Sequence, residues 1–207
     1  FRFLEAVQVD PATGEPHILT IGGKKPIGIC GSGIIDTVAE LLEAGILRQN
    51  GKFNQDAAGE WLRQNEDGLW EYVLARGEYT ATGQDIFITE PDIDNLSRAK
   101  GAIFAGVVTL LGSVGMELDA VEQVFIAGGF GKYLQGDRAA AIGLLPEMEP
   151  ERFTFGGNCS LLGARLVSFS RDMLQAAGTG APAATHGTPP PRRSCTAGAS
   201  TWSSWAG

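Results

Sequence analysis

Two stretches of this chain carry residue types that could do chemistry at close quarters. The first is Val124-Phe125-Ile126-Ala127-Gly128-Gly129-Phe130-Gly131. Its four apolar residues read as a short buried strand, and the glycines beyond it let the backbone turn sharply and approach something flat or charged. The pattern is a ligand edge or a plain tight turn, and taken alone it fits both. The second stretch is Ile27-Gly28-Ile29-Cys30-Gly31-Ser32-Gly33-Ile34-Ile35-Asp36. Ser32 predicts a helix N-cap, Ile34, Ile35, Val38, Leu41 and Leu42 fall on one helical face, and Gly45 stops the helix. A helix that begins behind glycines offers unpaired N–H groups and a positive dipole end to a phosphate. Gly31 and Gly33 equally permit a strand to pack closely on the helix, and both readings stay open. A nucleophilic Cys30 or Ser32 is rejected. The spacing is not that of a Gly-x-Ser-x-Gly elbow, and His17 falls in a predicted hairpin.

The elements that must hold these stretches can be read in order. Phe3 to Val9 and His17 to Ile21 predict a hairpin around Asp10-Pro11-Ala12-Thr13-Gly14. Residues 46 to 85 are polar and turn-rich, with short strands at Trp70 to Leu74 and Asp85 to Ile88 and with Trp61, Trp70 and Tyr72 as anchors. Thr89-Glu90-Pro91-Asp92 is a helix start with a capping-box spacing. The helix runs from Thr89 to Leu111, and Ile93, Leu96, Ile103, Val107, Leu110 and Val114 form a stripe that should pack against a sheet. Ser97, Arg98, Lys100 and Gly101 fall largely off that stripe, on a solvated face or a nucleotide-facing edge. Asp137 predicts the cap of a helix ending at Gly143. Phe153 to Phe155 reads as a strand, and Ser160 to about Leu174 as one helix. Strand and helix alternate through the second half, which predicts an α/β layered domain.

With 207 residues, 43% hydrophobic and 19% charged, the chain predicts a soluble globular protein with room for one good core. The absence of an apolar run of about eighteen residues argues against a membrane span. A net charge of −8 disfavours nonspecific nucleic-acid or acidic-membrane binding. Three scattered cysteines, Cys30, Cys159 and Cys195, argue against a disulfide framework and fit a reducing cytoplasm. No metal-ligand spacing is present. The strand-like opening without an initiator Met predicts a chain that starts in mid-fold. From 176 to 207 there is no Asp or Glu, and Ala, Gly, Pro, Ser and Thr dominate, so this stretch predicts a disordered tail behind a domain spanning 1 to 175. Trp202 and Trp205 sit oddly in it, as they would in a shifted or artificial end.

Gly28 to Asp36, the Ile88-Thr89-Glu90-Pro91-Asp92-Ile93 to Ala99-Lys100-Gly101-Ala102-Ile103 helix, and Phe125 to Leu134 followed by Ile142-Gly143-Leu144-Leu145-Pro146 are three motifs in a set order. In them the chain resembles the C-terminal domain of the reductive activators of corrinoid proteins, ferredoxin-linked ATPases. The resemblance covers roughly residues 1 to 175. It implies the C-terminal portion of an α/β actin-like, sugar-kinase-like and Hsp70-like ATPase fold, of the ribonuclease H-like type. In that fold two halves clasp ATP and Mg²⁺. Gly128, Gly129, Phe130 and Gly131 match its adenosine motif, Ser97 and Lys100 lie where Hsp70-like relatives place adenine contacts, and Gly31, Ser32 and Gly33 match a family motif with an inferred phosphate contact. The implied activity is ATP-dependent reduction of Co(II) to Co(I) in a corrinoid methyltransferase or corrinoid iron–sulfur protein, by a cytoplasmic homodimer. Two expected features are missing: the Cys-x4-Cys-x2-Cys run for a [2Fe–2S] cluster and the Asp-x-Gly phosphate loops. The chain therefore reads as a fragment whose own ATP hydrolysis is weak or absent for want of magnesium and γ-phosphate ligands, and no catalytic residue is assigned in it. Two other functions fit the same motifs: the C-terminal half of a small-molecule kinase of this fold, and a non-catalytic dimerisation or docking module.

Overall fold

The chain's glycine-punctuated apolar segments become strands and helices in nearly the predicted order. A computed structural model describes residues 2–57, 59–128, 134–146 and 148–180, with the side chains of 179 and 180 left aside. Gly129, Phe130, Gly131 and the stretch from 181 to 207 lie outside the described residues.

Strands β1 (Phe3–Val9) and β2 (Pro16–Thr20) form the predicted hairpin, antiparallel with Val7 opposite Ile18. The turn is set by Asp10, whose carboxylate accepts the N–H groups of Ala12 at 2.8 Å and Thr13 at 3.3 Å. Strand β3 (Gly28–Ile29) adds parallel to β1, giving the order β2-β1-β3. The chain then enters helix α1 (Gly31–Glu43). Its apolar face, Ile35, Val38 and Leu41, is buried on Leu4 and Val7 of β1 in one continuous core. The helix ends as predicted, with Gly45 at φ +69°.

The polar segment from 46 to 85 builds its own antiparallel sheet, order β4-β5-β6, from β4 (Leu62–Gln64), β5 (Trp70–Ala75) and β6 (Ile86–Thr89). Tyr72 ties this sheet to the hairpin: fully buried, it donates its hydroxyl to the Gly14 carbonyl at 2.7 Å. Trp61 instead lies under the Arg76 guanidinium, 4.7 Å from ring centroid to Cζ.

Helix α2 (Glu90–Val114) starts with the predicted capping box, Thr89 accepting from Asp92 N–H and Asp92 from Thr89 N–H. Its burial follows the predicted stripe only in part, at Ile93, Leu96 and Val107. Ile93 is its one buried residue, while Ile103 is 48% and Leu110 66% exposed. Glu90, Leu96, Ser97, Lys100, Phe104, Val107 and Leu111 are the half-buried positions, so the sheltered face takes in Ser97 and Lys100. Periodicity selects an apolar face, but which face finds a partner depends on neighbouring elements.

Strand β7 (Val124–Ala127) pairs in parallel with β8 (Phe153–Gly157), and α3 (Gly136–Ala141) lies between them in sequence. Gln135, not Asp137, is the N-cap of α3, and it makes no side-chain cap bond. The predicted helix from Ser160 to Leu174 is two helices, α4 (Cys159–Phe169) and α5 (Arg171–Gly180), because Ser170 leaves helical geometry and its hydroxyl accepts Met173 N–H at 3.3 Å. Helix α5 carries residues 176–180, which composition alone placed in the tail: Gln175, Ala176 and Ala177 are good helix formers and propagate the turn before the Pro-rich stretch.

Candidate functional site

The start of α1 is built by packing. Cys30, not Ser32, is the N-cap, with β-region geometry and no side-chain cap bond. Its N–H donates to the Leu4 carbonyl at 3.1 Å, and the thiol also reaches that carbonyl, at 3.0 Å. Ser32 lies in the first turn, 7% exposed, with its hydroxyl 3.0 Å from Cys30 Sγ. Gly33 faces β1 so closely that a Cβ there would overlap the Leu4 carbonyl oxygen and stand 3.0 Å from Ile29 Cγ1. Of the two roles open to Gly33, close packing of strand on helix is thus the one with visible partners. The uncapped first turn keeps the N–H character that suits an anion.

The second candidate edge begins where β7 ends. Gly128 takes φ +119°, a conformation that favours glycine, and its N–H donates to Gly157 O at 2.6 Å, locking the end of β7 to the end of β8. Lys100, on the sheltered face of α2, reaches the turn after α3: a Cβ added to Gly143 would lie 3.4 Å from its Nζ. Partial burial lowers the Lys100 ammonium below the usual lysine range. Ser97 sits one turn earlier on the same half-buried side. The structure thus places Ser97 and Lys100 on one face of α2 and Gly31, Ser32 and Gly33 in one turn of α1, while Gly128 ends β7.

A cluster absent from the sequence reading joins α3 to α1. Arg138 of α3 meets Asp36, Glu40 and Glu43 of α1: its Nη1 donates to Glu43 at 3.0 Å, Nη2 pairs with Glu40, and Nε stands 3.7 Å from Asp36 Oδ1. Burial pushes the Asp36 carboxyl above the usual carboxylate range, opposed by the Val7 N–H and by Arg138. The cluster borders a cavity of about 320 Å³ lined also by Gln8, His17 and Gln135. The available signal was the i, i+4, i+7 spacing of the three acids, which puts them on one helical face. Their partner lies some hundred positions on, where spacing says nothing. Among the described residues no group of three His, Cys, Asp or Glu side chains is placed to hold a metal ion. None of their helices is long and apolar enough to cross a membrane.

A β-sheet on α1, a glycine-ended strand and a preceding helix that shelters Ser97 and Lys100 define the C-terminal portion of an actin-like ATPase fold. A family model described as the C-terminal domain of RACo, the ASKHA domain, matches residues 3–186, and the chain belongs to that family. A solved reductive activator for corrinoid, iron–sulfur protein superposes with a TM-score of 0.80 at 45% identity, over 86% of this chain and 28% of that one. The corrinoid activation enzyme RamQ of Eubacterium limosum is 35% identical over 166 residues, 77% of this chain and 28% of that protein. The [Co(II) methylated amine-specific corrinoid protein] reductase of Methanosarcina barkeri is 27% identical over 163 residues, 79% of this chain and 26% of that protein. The chain therefore spans little more than a quarter of the length of these relatives.

Proposed function

We propose that this chain supplies part of the ATP-binding domain of a cytoplasmic, homodimeric activator that returns a Co(II) corrinoid protein to Co(I). One observation carries the reading: the chain follows a reductive activator for corrinoid, iron–sulfur protein over 86% of its length at 45% identity. The strand ending at Gly128 and the helix bearing Ser97 and Lys100 both fall inside the family match. In this reading Gly128 and the glycines after it let the backbone approach adenosine, Ser97 and Lys100 face the adenine side, and the first-turn N–H groups of α1 face phosphate. Each reduction adds one electron to cobalt. That electron comes from an iron–sulfur cluster in the rest of the intact protein. ATP contributes by binding two arrangements of the complex unequally and so shifting their populations.

Calorimetry with Mg-ATP and Mg-ADP on the 207-residue chain tests the nucleotide part. Binding is expected, weakened at least tenfold in Gly128→Val and several-fold in Lys100→Gln, with little or no hydrolysis by this chain alone. Corrinoid chemistry is tested in a chimera, with residues 3–180 replacing the matching segment of the solved activator and the cobalt absorbance followed after ATP addition. ATP-dependent formation of Co(I) is expected. Phosphorylation of a small hydroxyl or carboxyl substrate without cobalt reduction would instead mark a kinase half. Absence of nucleotide binding would mark a docking module.

A further inference from the structure

Strand β3 is two residues long, so beyond Leu4 the β1 edge facing it has no strand partner among the described residues. Two side chains of α1 take the place of a strand there. Asp36 Oδ2 accepts Val7 N–H at 2.7 Å and Glu40 Oε2 accepts Val9 N–H at 2.8 Å. The fit is geometric: four helical residues rise about 6 Å and two strand residues about 6.6 Å, so carboxylates at i and i+4 meet alternate N–H groups. The opposite oxygens of these carboxylates face Arg138, which holds Glu40 and Glu43 closely and Asp36 at 3.7 Å. That distance is too long for a hydrogen bond, and the buried Asp36 Oδ1 has no hydrogen-bond partner among the described residues. A displacement of Arg138 by about 0.8 Å would supply it. The other end of α3 closes on the Gly143 turn, over which Lys100 Nζ lies.

We propose that Arg138 is a positioning residue that couples the Lys100 side of the nucleotide site to α1 and the edge of β1 that α1 covers. When nucleotide engages Lys100, α3 shifts, Arg138 Nε donates to Asp36 Oδ1, and the carboxylates grip Val7 and Val9 more firmly. This rests on the nucleotide reading above. The six-residue α3 lies between the two contacts, Arg138 on α1 and the Gly143 turn beside Lys100.

Residue-resolved amide exchange on the 207-residue chain, with and without saturating Mg-ADP, tests the coupling. Val7 and Val9 are expected to exchange at least threefold more slowly with ligand. In Arg138→Gln they should exchange faster than wild type without ligand and show no response to it, while calorimetric affinity stays within about threefold. Bound nucleotide with unchanged Val7 and Val9 exchange in the wild type would overturn the coupling and leave the nucleotide reading intact. Equal unliganded exchange in wild type and Arg138→Gln would overturn the grip itself. No nucleotide binding at all would remove the reading and the coupling together. Should Arg138→Gln not fold, Asp36→Asn keeps an acceptor for Val7 N–H without the charge, and a wild-type ligand response in it refutes the proposal.

Discussion

Gly33→Ala separates the two roles that helix α1 offers at its start. The added methyl would overlap the Leu4 carbonyl oxygen and lie 3.0 Å from Ile29 Cγ1 and 3.1 Å from the Leu4 carbonyl carbon. These are mostly backbone atoms of a strand paired on one side with β2 and bonded through Leu4 O to Cys30 N–H, so they cannot swing away. Overpacking against such a wall costs about 1–3 kcal/mol, and the helix preference for Ala returns at most about 1 kcal/mol. A net loss of about 1–2 kcal/mol is expected. With a urea slope of roughly 2 kcal/mol per molar, the unfolding midpoint falls by about 0.5–1 M. Gly101→Ala on α2 is the control. Nothing lies within 4 Å of a Cβ there, and a gain of about 0.5–1 kcal/mol is expected from propensity. If Gly33→Ala stays within about 0.5 kcal/mol of wild type, a scatter usual for surface changes, the packing account is wrong. Unchanged stability with lost Mg-ADP binding would identify Gly33 with ligand approach instead.

Other expected outcomes can be checked with the same unfolding assays. Thr89→Ala removes the capping box of α2 and should lower stability by about 1 kcal/mol, with faster exchange in the first turn. Tyr72→Phe deletes a buried bond to Gly14 O and should cost about 1–2 kcal/mol; no change in the urea midpoint would refute the link between sheet and hairpin. Asp85 is held below the usual carboxylate range, first by Arg63 at 2.7 Å and then by Gly77 N–H. Since the folded value lies below the unfolded one, its contribution is full above about pH 4 and disappears as pH falls through the folded value. Asp85→Asn should flatten that acid limb of a stability-against-pH curve. Asp36 acts with the opposite sign: raised by burial, it favours the fold at low pH and withdraws that support as pH rises through its folded value.

Local signals were legible where a few neighbouring residues decide the outcome. The Asp10 turn, the Thr89 capping box, the Gly45 helix stop and the glycine at the end of β7 each rest on backbone preference or a short-range hydrogen bond, and each stands where the sequence places it. Ser32 misled because a good capping residue type is not a cap when a strand already claims the helix entry through Cys30. The helix break at Ser170 was hidden by an apolar spacing that continues across it.

The order of elements, the alternation of strand and helix, and the three motifs that mark the family were determined by sequence alone, because they depend on periodicity and on residues adjacent in the chain. Tertiary structure decided the rest. It turned α2 so that Ser97 and Lys100 rather than Ile103 and Leu110 are sheltered, pressed Gly33 onto β1, and brought Arg138 to three acids of α1. Those outcomes depend on which surfaces meet across long sequence separations, and burial of charge or exclusion of a methyl group is a property of the meeting surfaces.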